Sequence, residues 1–102
     1  MKTKIFCDIA DYETIKIFNK KSLVDGFTTN PSLMRLAGAK NYKNYSLKIL
    51  KVCKKKPISF EVFEDNPKGM LKQAYEINSW GKNVYVKIPV INSKGKFTGS
   101  VI

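Results

Sequence analysis

The chain has no histidine among its 102 residues. That removes His-based catalytic triads and His-ligated metals from it. Acid–base chemistry is left to Asp, Glu, Lys, Tyr or water. Cysteine is scarce too: Cys7 and Cys53 are the only two. Isolated cysteines without histidine make neither a zinc site nor a disulfide framework, and they read as reduced, semi-buried thiols. No apolar run approaches the ~20 residues that a bilayer-spanning helix needs. The opening MKTKIFCDIA has one short apolar stretch, broken by Asp8. It is a poor signal peptide, so the expected location is the cytoplasm and no membrane partner is expected. DNPKG and NSKGK do not fit the Gly-rich phosphate-binding fingerprints.

Acidic residues are few, 8 against 19 basic, for a net charge of +11. Such an excess suits a polyanion partner. However, Arg35 is the single arginine and the other 18 basic residues are lysines. Nucleic-acid readers rely on arginine for bidentate and stacking contacts. The lysines are also spread along the chain, with Lys54-Lys55-Lys56 the longest run. The expectation is a solvated lysine coat and no nucleic-acid partner.

What is present is a core-forming composition, 43% hydrophobic, of a size for one domain or part of one. Apolar strand-like runs alternate with helical spacing. KIFCDI is a strand candidate, and Asp11 caps the helix YETIKIFNKK behind it. LVDGFTTN is a second strand. Pro31 starts a helix that Gly38 breaks, and a longer one runs from about Asn41 to Cys53. ISFEVF is a third strand. Asn66-Pro67 opens a helix over 68–80 that Gly81 stops. NVYVKIPV is the fourth strand, and INSKGKFTGSVI is a turn-rich remainder. The expected fold is α/β, with parallel strands joined by right-handed crossovers, in a doubly wound sheet or a (β/α)8 barrel. Residues 1–102 read as a single partial domain with four strands and three helices. A closed barrel takes about 250 residues.

Parallel strands covered on both faces should be almost wholly apolar. Each of these four departs from that near its C-terminal end. The departures are Asp8, then Thr28, Thr29 and Asn30, then Glu61, then Lys87. Active sites of parallel β/α folds sit at that end. Each residue also has a plainer explanation: Asp8 as a loop residue or cap, the TTN stretch as a turn and N-cap, Glu61 as an exposed edge residue, Lys87 as an edge guard or ion-pair partner. Taken together, they suggest one chemistry. A lysine buried beside carboxylates is available as a neutral amine, attacks a ketone and forms a Schiff base. The protonated imine then draws electrons from the adjacent carbon–carbon bond while carboxylates move protons. No metal and no organic cofactor are needed.

The segments KIFCDIAD, LVDGFTTNPSL, ISFEVF and NVYVKIPV, in this order and spacing, resemble the transaldolase family, including its transaldolase-like fructose-6-phosphate aldolases. The resemblance covers nearly the whole chain and implies the first half of a TIM (β/α)8 barrel. It implies that Lys87 is the Schiff-base lysine. It implies that Asp8 takes the hydroxyl proton during carbon–carbon cleavage, and that Glu61 works through a water in carbinolamine chemistry. Thr28 and Asn30 would hold the dihydroxyacetone unit. The implied reaction moves that unit from a ketose phosphate, such as sedoheptulose 7-phosphate, to glyceraldehyde 3-phosphate, in the non-oxidative pentose phosphate pathway. The aldolase branch tends to have glutamine where Glu61 stands, which tilts the reading toward transfer. The family's phosphate-binding serine and arginine have no counterpart in this chain. The chain is therefore expected to be an N-terminal half, inactive without a second half or a complementing chain or copy. A non-catalytic half-barrel is the alternative.

Overall fold

A computed structural model describes residues 3–89. Val90, where NVYVKIPV was expected to end, and the turn-rich stretch 91–102 lie outside the described residues. The element order is β1 (Phe6–Asp8), α1 (Tyr12–Phe18), β2 (Gly26–Thr28), α2 (Pro31–Leu36), α3 (Tyr42–Val52), β3 (Ile58–Glu61), α4 (Pro67–Asn78) and β4 (Val84–Lys87). The strands form one parallel sheet in the order β1-β2-β3-β4. This is the architecture of the first half of a TIM barrel. The described residues form four helices rather than the expected three, because the β2–β3 connection is divided between two. Gly38, with φ +92°, takes the left-handed conformation there between α2 and α3.

Each helix begins on a side chain that satisfies an otherwise unpaired backbone N–H. Asp11, Asn30, Asn41 and Asn66 accept from the N–H of Thr14, Leu33, Asn44 and Gly69. Pro31 and Pro67 open α2 and α4, where a missing N–H costs nothing. The expected stop of α4 at Gly81 is not observed. Ser79 is the C-cap, and Gly81 lies in the turn before β4, accepting from the N–H of Val84 at 3.4 Å.

The strands alternate between two faces. One buries Phe27, Ile58, Phe60, Val62 and Val84 against Ile15, Met34, Ile49, Met70 and Ile77 from the helices. Burial of such side chains stabilises by about 1.5–3 kcal/mol each. The other face carries Phe6, Asp8, Gly26, Thr28, Ser59, Glu61, Tyr85 and Lys87, and none of the described helices covers it. Phe6 lies across Gly26: a Cβ at position 26 would stand 2.7 Å from the Phe6 ring and 2.6 Å from the Pro57 carbonyl oxygen.

Lysines scattered in sequence collect at one end of the sheet. Lys4, Lys20, Lys21, Lys54, Lys55, Lys56 and Lys82 all lie in the segments that lead into the N-terminal ends of the strands. Asn83 shapes this end by donating from Nδ2 to the carbonyls of Cys53 and Lys56. Among the described residues, no helix is long and apolar enough to cross a membrane.

Candidate active site

Asp8, Thr28, Glu61 and Lys87 are each the last residue of their strand. All four fall on the uncovered face. The register pairs Glu61 with Lys87 across β3 and β4, and the Lys87 Nζ stands 3.5 Å from the Glu61 Oε2. At the other edge of the sheet, on the same face, Asp8 pairs with Thr28, whose hydroxyl donates to the Asp8 Oδ1 at 2.8 Å. The row of Asp8 continues through Thr28 and Ser59 to Tyr85, so the Glu61–Lys87 pair stands two residues further toward the C-terminal ends.

The expectation of a buried lysine is not met. The Lys87 side chain is 60% exposed and that of Glu61 22%. The reason is topological: the face that holds Lys87 is not covered within the described residues. The stretch TTN divides its tasks. Thr28 faces the site. Thr29 is buried toward the helices and donates from its hydroxyl to the Ser59 carbonyl at 2.6 Å. Asn30 has left the strand and caps α2, with Oδ1 accepting from the Leu33 N–H at 2.8 Å.

Below the two pairs, the same face has a hollow of about 390 Å³ lined by Phe6, Thr28, Ser59 and Tyr85 among others. The Ser59 hydroxyl is buried and has no hydrogen-bond partner among the described residues. Sequence reasoning missed Ser59, although it shares the alternating face of Glu61.

It also missed Tyr42, which reads in sequence as one more apolar position of α3. The Tyr42 hydroxyl accepts from the Glu61 N–H and donates to the Glu61 carbonyl, both at 3.0 Å. Its ring meets Phe60, Phe63 and Trp80 edge-on, with centroids 6.5, 5.3 and 6.2 Å away. Burial pushes the phenol's pKa well above its usual value. The Glu61 charge adds to that shift and the hydrogen bond to the Glu61 backbone opposes it. Among the described residues, no group of three or more His, Cys, Asp or Glu is placed to hold a metal ion.

Residues 5–97 match the family described as Transaldolase/Fructose-6-phosphate aldolase. The chain belongs to that family. A probable transaldolase of Dehalococcoides mccartyi is 42% identical over 86 residues, which is 84% of this chain and 40% of the relative. One from Methanococcus vannielii is 43% identical over 89 residues, 85% of this chain and 40% of the relative. One from Nitrosopumilus maritimus is 41% identical over 87 residues, 85% of this chain and 38% of the relative. The chain thus spans about two fifths of the length of the curated relatives it matches. The part matched to the transaldolase/aldolase family takes in all four strands and each of Asp8, Thr28, Asn30, Glu61 and Lys87.

Proposed function

We propose that this chain carries the lysine-bearing half of a transaldolase site, working in the cytoplasm on sugar phosphates. The observation that carries the reading is the Glu61–Lys87 pair, 3.5 Å apart at the C-terminal ends of adjacent strands. In this reading Glu61 takes a proton from the Lys87 ammonium, directly or through a water. The amine adds to the C2 carbonyl of a ketose phosphate such as sedoheptulose 7-phosphate. Loss of water from the carbinolamine leaves a protonated imine. Asp8 takes the proton of the hydroxyl beyond the scissile bond. The carbon–carbon bond breaks, its electron pair moves into the imine to give an enamine, and erythrose 4-phosphate leaves. The enamine then attacks glyceraldehyde 3-phosphate. Hydrolysis releases fructose 6-phosphate and the free lysine. Thr28 holds Asp8 by its hydroxyl, and Thr28 and Asn30 face the hydroxyls of the three-carbon unit. The reaction belongs to the non-oxidative pentose phosphate pathway. It uses the strands that complete the barrel, supplied by the rest of the polypeptide, a complementing chain or a second copy.

The test is borohydride reduction of the full-length protein with fructose 6-phosphate. A stable adduct on the peptide bearing Lys87, absent from Lys87→Met, is the expected result. An adduct on another lysine, or none, overturns the reading. The family's description joins transaldolases to fructose-6-phosphate aldolases. Release of free dihydroxyacetone without an acceptor aldehyde would favour the aldolase, whereas Glu61 favours transfer.

A further inference from the structure

Parallel strands bond in slanted rungs, each residue giving its N–H and C=O to two residues of the neighbour. Between β2 and β3 this ladder runs through the Phe27 N–H on the Pro57 carbonyl and the Thr29 N–H on the Ser59 carbonyl, at 2.9 and 3.2 Å. The next rung would join Glu61 to the Thr29 carbonyl and to the N–H of residue 31. That residue is Pro31, which has no N–H, and the chain has already turned into α2 there. The backbone of Glu61 is thus left without a strand partner on the β2 side, at the point where its side chain meets Lys87. The Tyr42 hydroxyl fills this place, both accepting from the Glu61 N–H and donating to its carbonyl.

We propose that Tyr42 is a positioning residue for the reaction, completing the missing rung and thereby fixing the Glu61 carboxylate against the Lys87 amine. The proposal rests on the transaldolase reading of the same site. A phenol suits the task for two reasons. A single hydroxyl both donates and accepts, as the unpaired peptide group requires. The ring is clamped edge-on by Phe60, Phe63 and Trp80, so the hydroxyl cannot drift from β3. α3 thereby sets the height of a strand-end side chain that it does not itself touch through the sheet.

The test is Tyr42→Phe in the full-length protein, alone and combined with Glu61→Gln. The ring packing survives and only the hydroxyl is lost. The expected result is a kcat lower by about tenfold with KM within about twofold, and a shift in the pH limb of kcat that Glu61 controls. In the Glu61→Gln background the same substitution should change kcat by less than about twofold, because its effect acts through Glu61. An undiminished loss in that background overturns the proposal, as does a Tyr42→Phe enzyme with unchanged kcat and pH profile. Amide hydrogen exchange supplies an arm that needs no activity. Exchange at Glu61 should quicken in Tyr42→Phe while Phe60 stays protected; an unchanged Glu61 amide refutes the latch. Failure of the wild-type protein to trap substrate on Lys87 would instead refute the transaldolase reading.

Discussion

Lys87 and Glu61 end neighbouring strands with their charged groups 3.5 Å apart, yet the lysine side chain is 60% exposed. An ion pair so open to water contributes less than about 1 kcal/mol to stability. The pair's role is therefore separable from folding. Glu61→Gln should leave the thermal midpoint almost unchanged and lower kcat by about 100-fold. A thermal melt beside steady-state kinetics checks both. A marked loss of stability with activity intact would mark the pair as structural.

The Thr28 hydroxyl donates to the Asp8 carboxylate at 2.8 Å. Asp8→Asn keeps a similar shape but cannot take a proton, so kcat should fall by about 10²–10⁴-fold. Thr28→Val removes only the hydroxyl and should cost about tenfold. Steady-state rates on fructose 6-phosphate rank the two. The reverse order would contradict Asp8 as the proton acceptor and Thr28 as its support.

Gly26→Ala should destabilise the fold by about 1–3 kcal/mol. The added Cβ meets the Phe6 ring at 2.7 Å and the Pro57 carbonyl at 2.6 Å. A ring can rotate away, but a carbonyl held in the ladder cannot. Phe6→Ala should therefore fail to rescue Gly26→Ala in urea unfolding.

Burial raises the pKa of the Tyr42 phenol in the folded state. In the unfolded chain a tyrosine ionises near about pH 10. Below that pH the contribution to stability is complete. Above it the unfolded chain releases a proton that the folded chain keeps, so stability falls as pH rises. Tyr45, whose phenol burial also raises, is common to both proteins. The difference in unfolding free energy between wild type and Tyr42→Phe should thus narrow above about pH 10. A gap that stays constant well into the alkaline range would contradict it.

Much of this was legible in the sequence, for identifiable reasons. The strand ends at Asp8, Thr28, Glu61 and Lys87 were visible because a covered parallel strand tolerates so few polar residues. Helix starts at Asp11, Asn30, Asn41 and Asn66 follow from side chains that accept locally. Long-range relations were not visible. Tyr42 and Glu61 lie 19 positions apart, and nothing local says that a phenol will finish a ladder. The one available hint was Pro31, which removes the N–H that Glu61 would have used. The lysines gave the same lesson. Seven of them, far apart in sequence, are brought by the crossovers to one end of the sheet.

The backbone register also fixes how high each side chain stands in the mouth of a barrel. Asp8 shares a row with Tyr85, and Lys87 is two residues beyond. A shear of eight over eight strands shifts the level by about one residue per strand. Three strand steps separate β1 from β4, which makes about three residues, close to the lead that Lys87 has over Tyr85. The tilt of the strands thus compensates for the offset of the rungs. In a closed barrel of that shear, the offset of the rungs would leave Asp8 and Lys87 within about one residue of the same height.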